Sequence, residues 1–359
     1  MSNRNTAWVA TRKGLFELHR GGNDGWQIAK VHFLADPVSM VLPAAAGGRM
    51  FAALNLGHFG VKLQGSDDQG RTWQELAVPT YPPQPEPLEG PAWKLLQVWS
   101  LERQGQTIWA GTIPGGLFCS DDEGASWQLV ESMWRRPERL GWFGGGYDAP
   151  GIHSICPHPT EADEMLIGVS CGGAWRTTDG GADWQLRAQG MRADFMPPEQ
   201  AGDQNTQDPH RIVRCACAPD VLWCQHHCGI WRSVDNGANW GQLQAQPSSF
   251  GFAVAAHPHD PLTAWFAPGI KDEQRLPVDA ALCVTRTRDG GQSFEALRLG
   301  LPQQHCYDLI YRHGLVVDET GSHLLMGSTT GNLWASDDAG DSWQTVSLNL
   351  PPIYALRFG

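Results

Sequence analysis

Apolar runs of four to eight residues, broken by Gly, Asp, Asn and Pro, recur from Thr6 to Phe358. Runs this short, bounded by turn residues, predict the strands of a large antiparallel assembly with little helix. The stretch 151–187 divides into Gly151–Cys156, Glu164–Val169, Gly173–Thr177 and Trp184–Arg187. The same division returns at Tyr307–Ile310, His323–Gly327, Gly331–Ser336 and Trp343–Val346. Each set is expected to form one four-stranded sheet, with its first strand innermost.

A repeated octapeptide separates the third run from the fourth. Ser66-Asp67-Asp68-Gln69-Gly70-Arg71-Thr72-Trp73 and Ser120-Asp121-Asp122-Glu123-Gly124-Ala125-Ser126-Trp127 share the order Ser/Thr, any, Asp, any, Gly, any, polar, Trp. It returns at 177–184, 233–240, 287–294 (with Phe294 in place of Trp) and 336–343. A decayed seventh copy is the glycine-rich bend Gly21–Gly25 before Trp26. A period of about 50 residues with four short strands per unit is the signature of a propeller. The chain therefore reads as all-β, a single seven-bladed β-propeller over 1–359. Its blades fall near 352–358 plus 6–31, 36–79, 93–131, 151–190, 209–246, 250–300 and 305–348. The N-terminal unit, Thr6–Ala10, Gly14–Leu18 and Trp26–Lys30, lacks an innermost strand, and Pro352–Phe358 resembles one. Joining the C-terminal strand to the N-terminal blade would close the ring and remove open sheet edges.

The octapeptide resembles the Asp-box, or bacterial neuraminidase repeat, of sialidase-like, sortilin-like and photosystem-assembly propellers. Three further stretches resemble a bacterial family labelled exo-alpha-sialidase, glycosyl hydrolase or repeat-containing protein. They are Leu56-Gly57-His58-Phe59-Gly60-Val61-Lys62, Arg192-Ala193-Asp194-Phe195, and Phe250-Gly251-Phe252 followed by His257-Pro258-His259-Asp260-Pro261. The resemblance implies the propeller architecture. True sialidases are recognised by an early Arg-Ile-Pro segment and a Tyr-Glu pair, and no Arg-Ile-Pro occurs here. Within the boxes, Asp68, Asp122, Asp179, Asp235, Asp289 and Asp338 are expected to close turns, with Gly70 at positive φ and Trp73 packed between sheets.

Charge narrows the functional classes. Lys plus Arg total 26 against 38 Asp plus Glu, for a net charge of -12. A broad basic face for nucleic acid or an anionic membrane is therefore not expected. No apolar run approaches the roughly 18 residues of a membrane span, and the first ten residues hold no signal-like block, so the expectation is a cytoplasmic protein. Nine cysteines, an odd number in a large chain, are expected as reduced thiols. Cys215, Cys217, Cys224 and Cys228 are read as buried thiols at blade interfaces rather than as a zinc site.

Candidate chemistry gathers on the face expected opposite the boxes. Long insertions at Pro79–Ala92, Ser132–Pro150, Gly190–Pro209 and Pro268–Ala280 belong to that face and suit rims around a site. So do His58, His153, His210, His226, His227 and His305, with Lys94, Arg211 and Tyr307 near them by register. Asp194 is the chosen acidic partner among Glu86, Glu89, Asp148, Glu199, Asp272 and Glu273. His58, His153 and His227 are the expected ligands of a transition metal with zinc-like geometry. Without metal, one histidine would pair with Asp194 while Lys94 or Arg211 faces substrate charge. The bland alternative leaves these histidines bonded to water and backbone. The functional expectation is a small-molecule enzyme, hydrolase or lyase, acting on a polar or anionic substrate. The alternative is a non-catalytic binding or assembly propeller for a protein, peptide or cofactor.

Overall fold

The computed structural model of the protein describes residues 5–22, 25–45, 48–85, 92–144 and 147–359. Glu86 and Glu89, with part of the Pro79–Ala92 insertion, lie outside the described residues. In chain order the strands are Thr6–Thr11 (β1), Gly14–Gly21 (β2) and Gly25–His32 (β3), then Val38–Leu42 (β4), Met50–Asn55 (β5), Val61–Ser66 (β6) and Gln74–Leu76 (β7). Next come Gln97–Gln104 (β8), Thr107–Ile113 (β9), Leu117–Ser120 (β10) and Gln128–Leu129 (β11), then Ile152–Pro157 (β12), Met165–Val169 (β13), Gly173–Thr177 (β14) and Gln185–Leu186 (β15). The fifth set is Pro209–Arg214 (β16), Leu222–His226 (β17), Gly229–Ser233 (β18) and Gly241–Leu243 (β19). The sixth is Gly251–Ala256 (β20), Ala264–Pro268 (β21), Val284–Thr287 (β22) and Glu295–Leu297 (β23). Leu315–Val317 (β24), Leu324–Gly327 (β25), Leu333–Ser336 (β26), Gln344–Ser347 (β27) and Ile353–Phe358 (β28) complete the chain.

These strands make seven four-stranded antiparallel sheets. Six use strands consecutive in sequence; the first has the order β28-β1-β2-β3. Val9 pairs with Leu356 and Ala7 with Phe358, so the last strand of the chain completes the first sheet. This is the all-β, seven-bladed β-propeller class, closed by the C-terminal strand. Among the described residues helix is confined to Glu131–Trp134 and a few 3-10 turns, and no helix is long and apolar enough to cross a membrane.

By its contacts the chain divides into two compact units, one of Met1–Val38, His210–Asn236 and Trp240–Gly359, the other of Ser39–Pro209 and Gly237–Asn239. In the first, Trp265, Trp334 and Trp343 share a core with Leu324 and Met326, and Ala7, Val9 and Leu356 pack with Leu325 and Leu333. In the second, Trp109, Trp175 and Trp184 pack with Ile155 and Ile167. Burial follows strand order. The second strands β13, β17 and β21 are buried at every residue, whereas β7, β11 and β15 hold none. That gradient explains why the second strands read as unbroken apolar runs and the fourth as short polar ones.

One strand lies elsewhere than expected. The first strand of the seventh sheet is Leu315–Val317, and Tyr307–Ile310 is irregular. The buried Asp308 explains the shift. Its Oδ1 accepts from Ser328 Oγ at 2.6 Å and Asn332 Nδ2 at 2.8 Å, and Cys306 Sγ donates to Oδ2 at 3.1 Å. These bonds tie the segment to the β25–β26 turn, and the ladder with β25 starts only at Gly314, whose carbonyl accepts from Gly327 N–H.

The octapeptide turns share one hydrogen-bond pattern. Asp68 Oδ1 accepts from Ser66 Oγ and from Thr72 N–H, each at 2.8 Å, and Oδ2 accepts from the Thr72 hydroxyl at 2.6 Å. Gly70 N–H donates to Ser66 Oγ at 2.8 Å with φ +83°, a conformation that favours glycine. Ser120, Asp122, Gly124 and Ser126 repeat it, as do Thr287, Asp289, Gly291 and Ser293. Ser336, Asp338, Gly340 and Ser342 repeat it as well, and Ser233 with Asp235 keeps the first bond at 2.8 Å. Asp179 accepts from Thr177 Oγ1 and Asp183 N–H, but Asp183 contributes no hydroxyl.

Two outcomes follow from this architecture. Deleting 352–359 removes β28 and bares the β1 edge, so the melting midpoint should fall as a cooperative shift; an unchanged midpoint would count against the seam. In acid, the boxes set a second dependence. The Thr72, Ser126 and Ser293 hydroxyls and the neighbouring N–H groups hold Asp68, Asp122 and Asp289 at about 2, below the ordinary 3.8. Because the folded-state values are depressed, their contribution is present above the ordinary carboxyl value and is lost as pH falls toward about 2. Melting midpoints measured across that interval should decline, and the Asp68→Asn, Asp122→Asn, Asp289→Asn triple variant should flatten the decline.

Candidate metal centre

The fifth sheet concentrates imidazoles. His210 and Arg211 lie on β16, His226 ends β17, and His227 with Cys228 forms the turn into β18. Cys228 N–H donates to His226 Nδ1 at 3.0 Å, so this buried ring is engaged in closing its own turn. His210 is oriented differently. Its Nδ1 lies 2.7 Å from the Gly251 carbonyl oxygen, which requires the proton on Nδ1 and makes Nε2 the ligand atom of the neutral ring. The ring stacks on Phe252, with centroids 4.3 Å apart and planes at 11°, and stands edge-on to His227 at 5.3 Å.

Asp208 leads directly into β16. Its Oδ1 accepts from Ser170 Oγ at 3.3 Å and Cys171 N–H at 3.1 Å, bonds that orient the buried carboxylate. Asp208, His210 and His227 each offer one ligand atom within 4.8 Å of the others. Two imidazoles and a carboxylate could coordinate a divalent transition ion, with ligand type favouring zinc or ferrous iron. The Gly251, Ser170 and Cys171 bonds are the supporting contacts such a centre needs.

Phe252 links this group to positive charge. The guanidinium carbons of Arg275 and Arg312 lie 5.3 and 5.5 Å from its ring centroid, and Tyr311 meets it edge-on at 5.0 Å. Burial draws the Arg275 pKa down, but its hydrogen bonds to Tyr311 and Asp272 outweigh this and raise it.

Of the expected site residues, His210, Arg211, His226 and His227 share the fifth sheet, and His227 is the one expected metal ligand in the Asp208 group. His58 and His153 are not in that group. His58 is exposed on the 3-10 turn Gly57–Phe59, its ring 3.8 Å from that of Phe59. His153 is buried on β12, with Nδ1 2.9 Å from Ser154 Oγ and its ring edge-on to Trp99 at 5.4 Å. Lys94 lies before β8, exposed, rather than in that strand. The residue of the third sheet equivalent to His153 is Trp99, because the pairings skip Trp99 on β8 and His153 on β12 alike. Such a bulge turns one side chain out of the pleat alternation. Asp194 is exposed and ion-paired to Arg192 at 3.0 Å, and His305 and Tyr307 are exposed. All nine cysteines are free thiols; Cys215 and Cys224 are buried as expected, whereas Cys217 is exposed and Cys228 half-buried. Asp208 was missed, although its i, i+2 spacing to His210 puts both on one side of an extended segment.

Fold and side chains define the class: a seven-bladed β-propeller with a His, His, Asp donor group at the start of β16 and the β17–β18 turn. No family model matches the chain. It is 22% identical over 284 residues to a xyloglucanase of a Paenibacillus species, covering 68% of this chain and 25% of that enzyme. Its fold is similar to the GH74 xyloglucanase of Xanthomonas campestris, with TM-score 0.64, 15% identity, and coverage of 96% of this chain and 53% of that one. It is also similar to YCF48 bound to D1 peptide, with TM-score 0.56, 16% identity, and coverage of 93% and 90%. The chain thus spans a quarter of the Paenibacillus enzyme and about half of the Xanthomonas chain. At these identities the structural likeness is one of fold.

Phe252 is the packing hub of this group, and it is 2% exposed. Phe252→Ala should cost about 3–5 kcal/mol in urea unfolding, since it removes a buried ring together with the support of His210. A loss below about 1 kcal/mol would show that neighbouring side chains refill the space.

Proposed function

We propose that this chain is an enzyme acting on a small polar or anionic molecule, centred on Asp208, His210 and His227 with a divalent transition metal held by the three. One observation carries the reading: three metal-ligand donors lie within 4.8 Å of one another on buried or half-buried side chains. The donor set suits zinc or ferrous iron better than magnesium or calcium, which take oxygen ligands. Bound there, such an ion supplies Lewis-acid activation of the kind hydrolases and lyases use. The chain's own residues do the rest. Ser170 and the Cys171 N–H orient Asp208, the Gly251 carbonyl sets the His210 tautomer, and Phe250 and Phe252 wall the imidazoles. Arg275, paired with Asp272, and Arg312 place positive charge 5.3 and 5.5 Å from the Phe252 ring, which suits a negatively charged substrate group. The likeness to xyloglucanases supports a hydrolase.

A second reading, a non-catalytic propeller that binds a protein or peptide, is favoured by the likeness to YCF48 bound to D1 peptide over nearly the whole of both chains.

Elemental analysis of untagged protein, loaded with zinc or ferrous iron and desalted, separates the readings. The enzyme reading expects a retained ion that is lost in Asp208→Asn, His210→Ala and His227→Ala. Ser170→Ala should weaken metal affinity about 10- to 100-fold by freeing Asp208. Metal content unaffected by all four substitutions would overturn the proposed centre.

A further inference from the structure

A cavity in the second unit has a different chemistry. It has a volume of about 440 Å³, within the range of small-molecule sites, and is walled by Pro82, Pro83, Pro85, Trp93, Trp134 and Arg139. The prolines and tryptophans give it flat apolar faces, and the two indoles meet edge-on at 5.1 Å. Three arginines line it in a chain of net charge -12. Two are already neutralised: Arg135 by Glu131 at 2.5 Å, and Arg136 by Glu138 at 3.2 Å and Asp183 at 3.1 Å.

Arg139 differs from both. Among the described residues it has no carboxylate partner, and the one hydrogen bond of its side chain runs from Nε to the Trp134 carbonyl at 2.6 Å. Its guanidinium lies 3.8 Å from the Trp134 ring centroid and 5.8 Å from that of Trp93. The group is thus half-buried, held in place before any ligand arrives, and available for hydrogen bonding at its terminal nitrogens. Trp134 Nε1, a buried donor in the same wall, has no acceptor among the described residues.

From this geometry we infer that the cavity binds a carboxylate carried on a ring with an apolar face, with Arg139 taking the carboxylate and Trp93 and the prolines taking the ring. A single guanidinium with no carboxylate partner among the described residues, beside Glu131, suits one negative charge rather than the two of a phosphate monoester. An acidic sugar and an aromatic acid share this chemistry. Rings stack on tryptophan and proline in either case, and the carboxylate supplies the charge-assisted bonds.

Titration calorimetry on the full chain tests this with glucuronate against glucose, and benzoate against benzyl alcohol. At least one acid should bind saturably, at least about tenfold tighter than its neutral counterpart. Arg139→Gln should weaken the acid about 10- to 100-fold and leave the neutral ligand unchanged. Leu140→Glu changes a cavity residue that is 82% exposed, so it tests the charge even if Arg139→Gln folds poorly. It should weaken acid binding several-fold, and added salt should shrink the difference. Binding of glucuronate alone would identify an acidic sugar, and of benzoate alone an aromatic acid. Equal affinity for acid and neutral ligand, no saturation by either acid up to about 10 mM, or wild-type acid affinity in Leu140→Glu at low salt would overturn the inference.

Discussion

A carboxylate that accepts from a hydroxyl two residues before it and from an N–H four residues after it fixes the turn into the fourth strand. Asp68, Asp122 and Asp289 do this with nearly the same distances. The turn sets the register beyond it: Leu63 faces Leu76, Phe118 faces Leu129, Trp175 faces Leu186 and Val284 faces Leu297. A slip of one residue would turn each of these apolar pairs to the wrong side of the sheet. The repetition of the box is therefore a repetition of register, and the tryptophan cores depend on it.

With register held at one end of each sheet, irregularity collects in the first strands. The pairings skip Trp99 on β8, His153 on β12 and Tyr354 on β28, and break between Gly251 and Val254 on β20. Phe252, which supports His210, lies in that last break. Bulges release side chains from strict alternation, which is how a buried strand can turn an aromatic or imidazole ring sideways without losing its ladder. The ring that supports His210 thus sits in a break of the register.

Arginine is used in two ways. Arg103 with Glu123 at 2.6 Å, Arg176 with Glu164 at 2.7 Å, and Arg286 with Glu295 and Asp341 at 2.6 and 2.5 Å are ion pairs close to the box turns. They cancel charge, and Arg286–Asp341 also joins the sixth sheet to the seventh. Arg139 over Trp134, and Arg275 and Arg312 over Phe252, are stacked on rings. Arg275 is also paired with Asp272 at 2.5 Å, whereas Arg139 has no carboxylate partner among the described residues; a ring positions such a guanidinium without neutralising it, so its attraction for an anion is kept.

The boxes, the seven-fold repetition and the closing strand were legible in the sequence because each rests on contacts a few residues long or on a missing repeat element. Local turn chemistry decides where Asp68 or Asp122 must sit, whatever the rest of the chain does. The candidate site was legible only in its parts: His210 and His227 stood out as residue types, but Asp208 did not, and Lys94 was placed where Trp99 belongs. Asp208 is oriented by Ser170 and Cys171, and His210 by Gly251, all distant in sequence. Tyr307–Ile310 looked like a strand because its apolar pattern allows one; Asp308, bound to the β25–β26 turn, decides otherwise. The sequence by itself determined the box turns, the number of sheets and most of their strands, through short-range hydrogen bonding and side-chain period. Which polar side chains meet was decided only by tertiary structure, because a buried carboxylate or imidazole is placed by the partners that satisfy it, and those partners come from other strands.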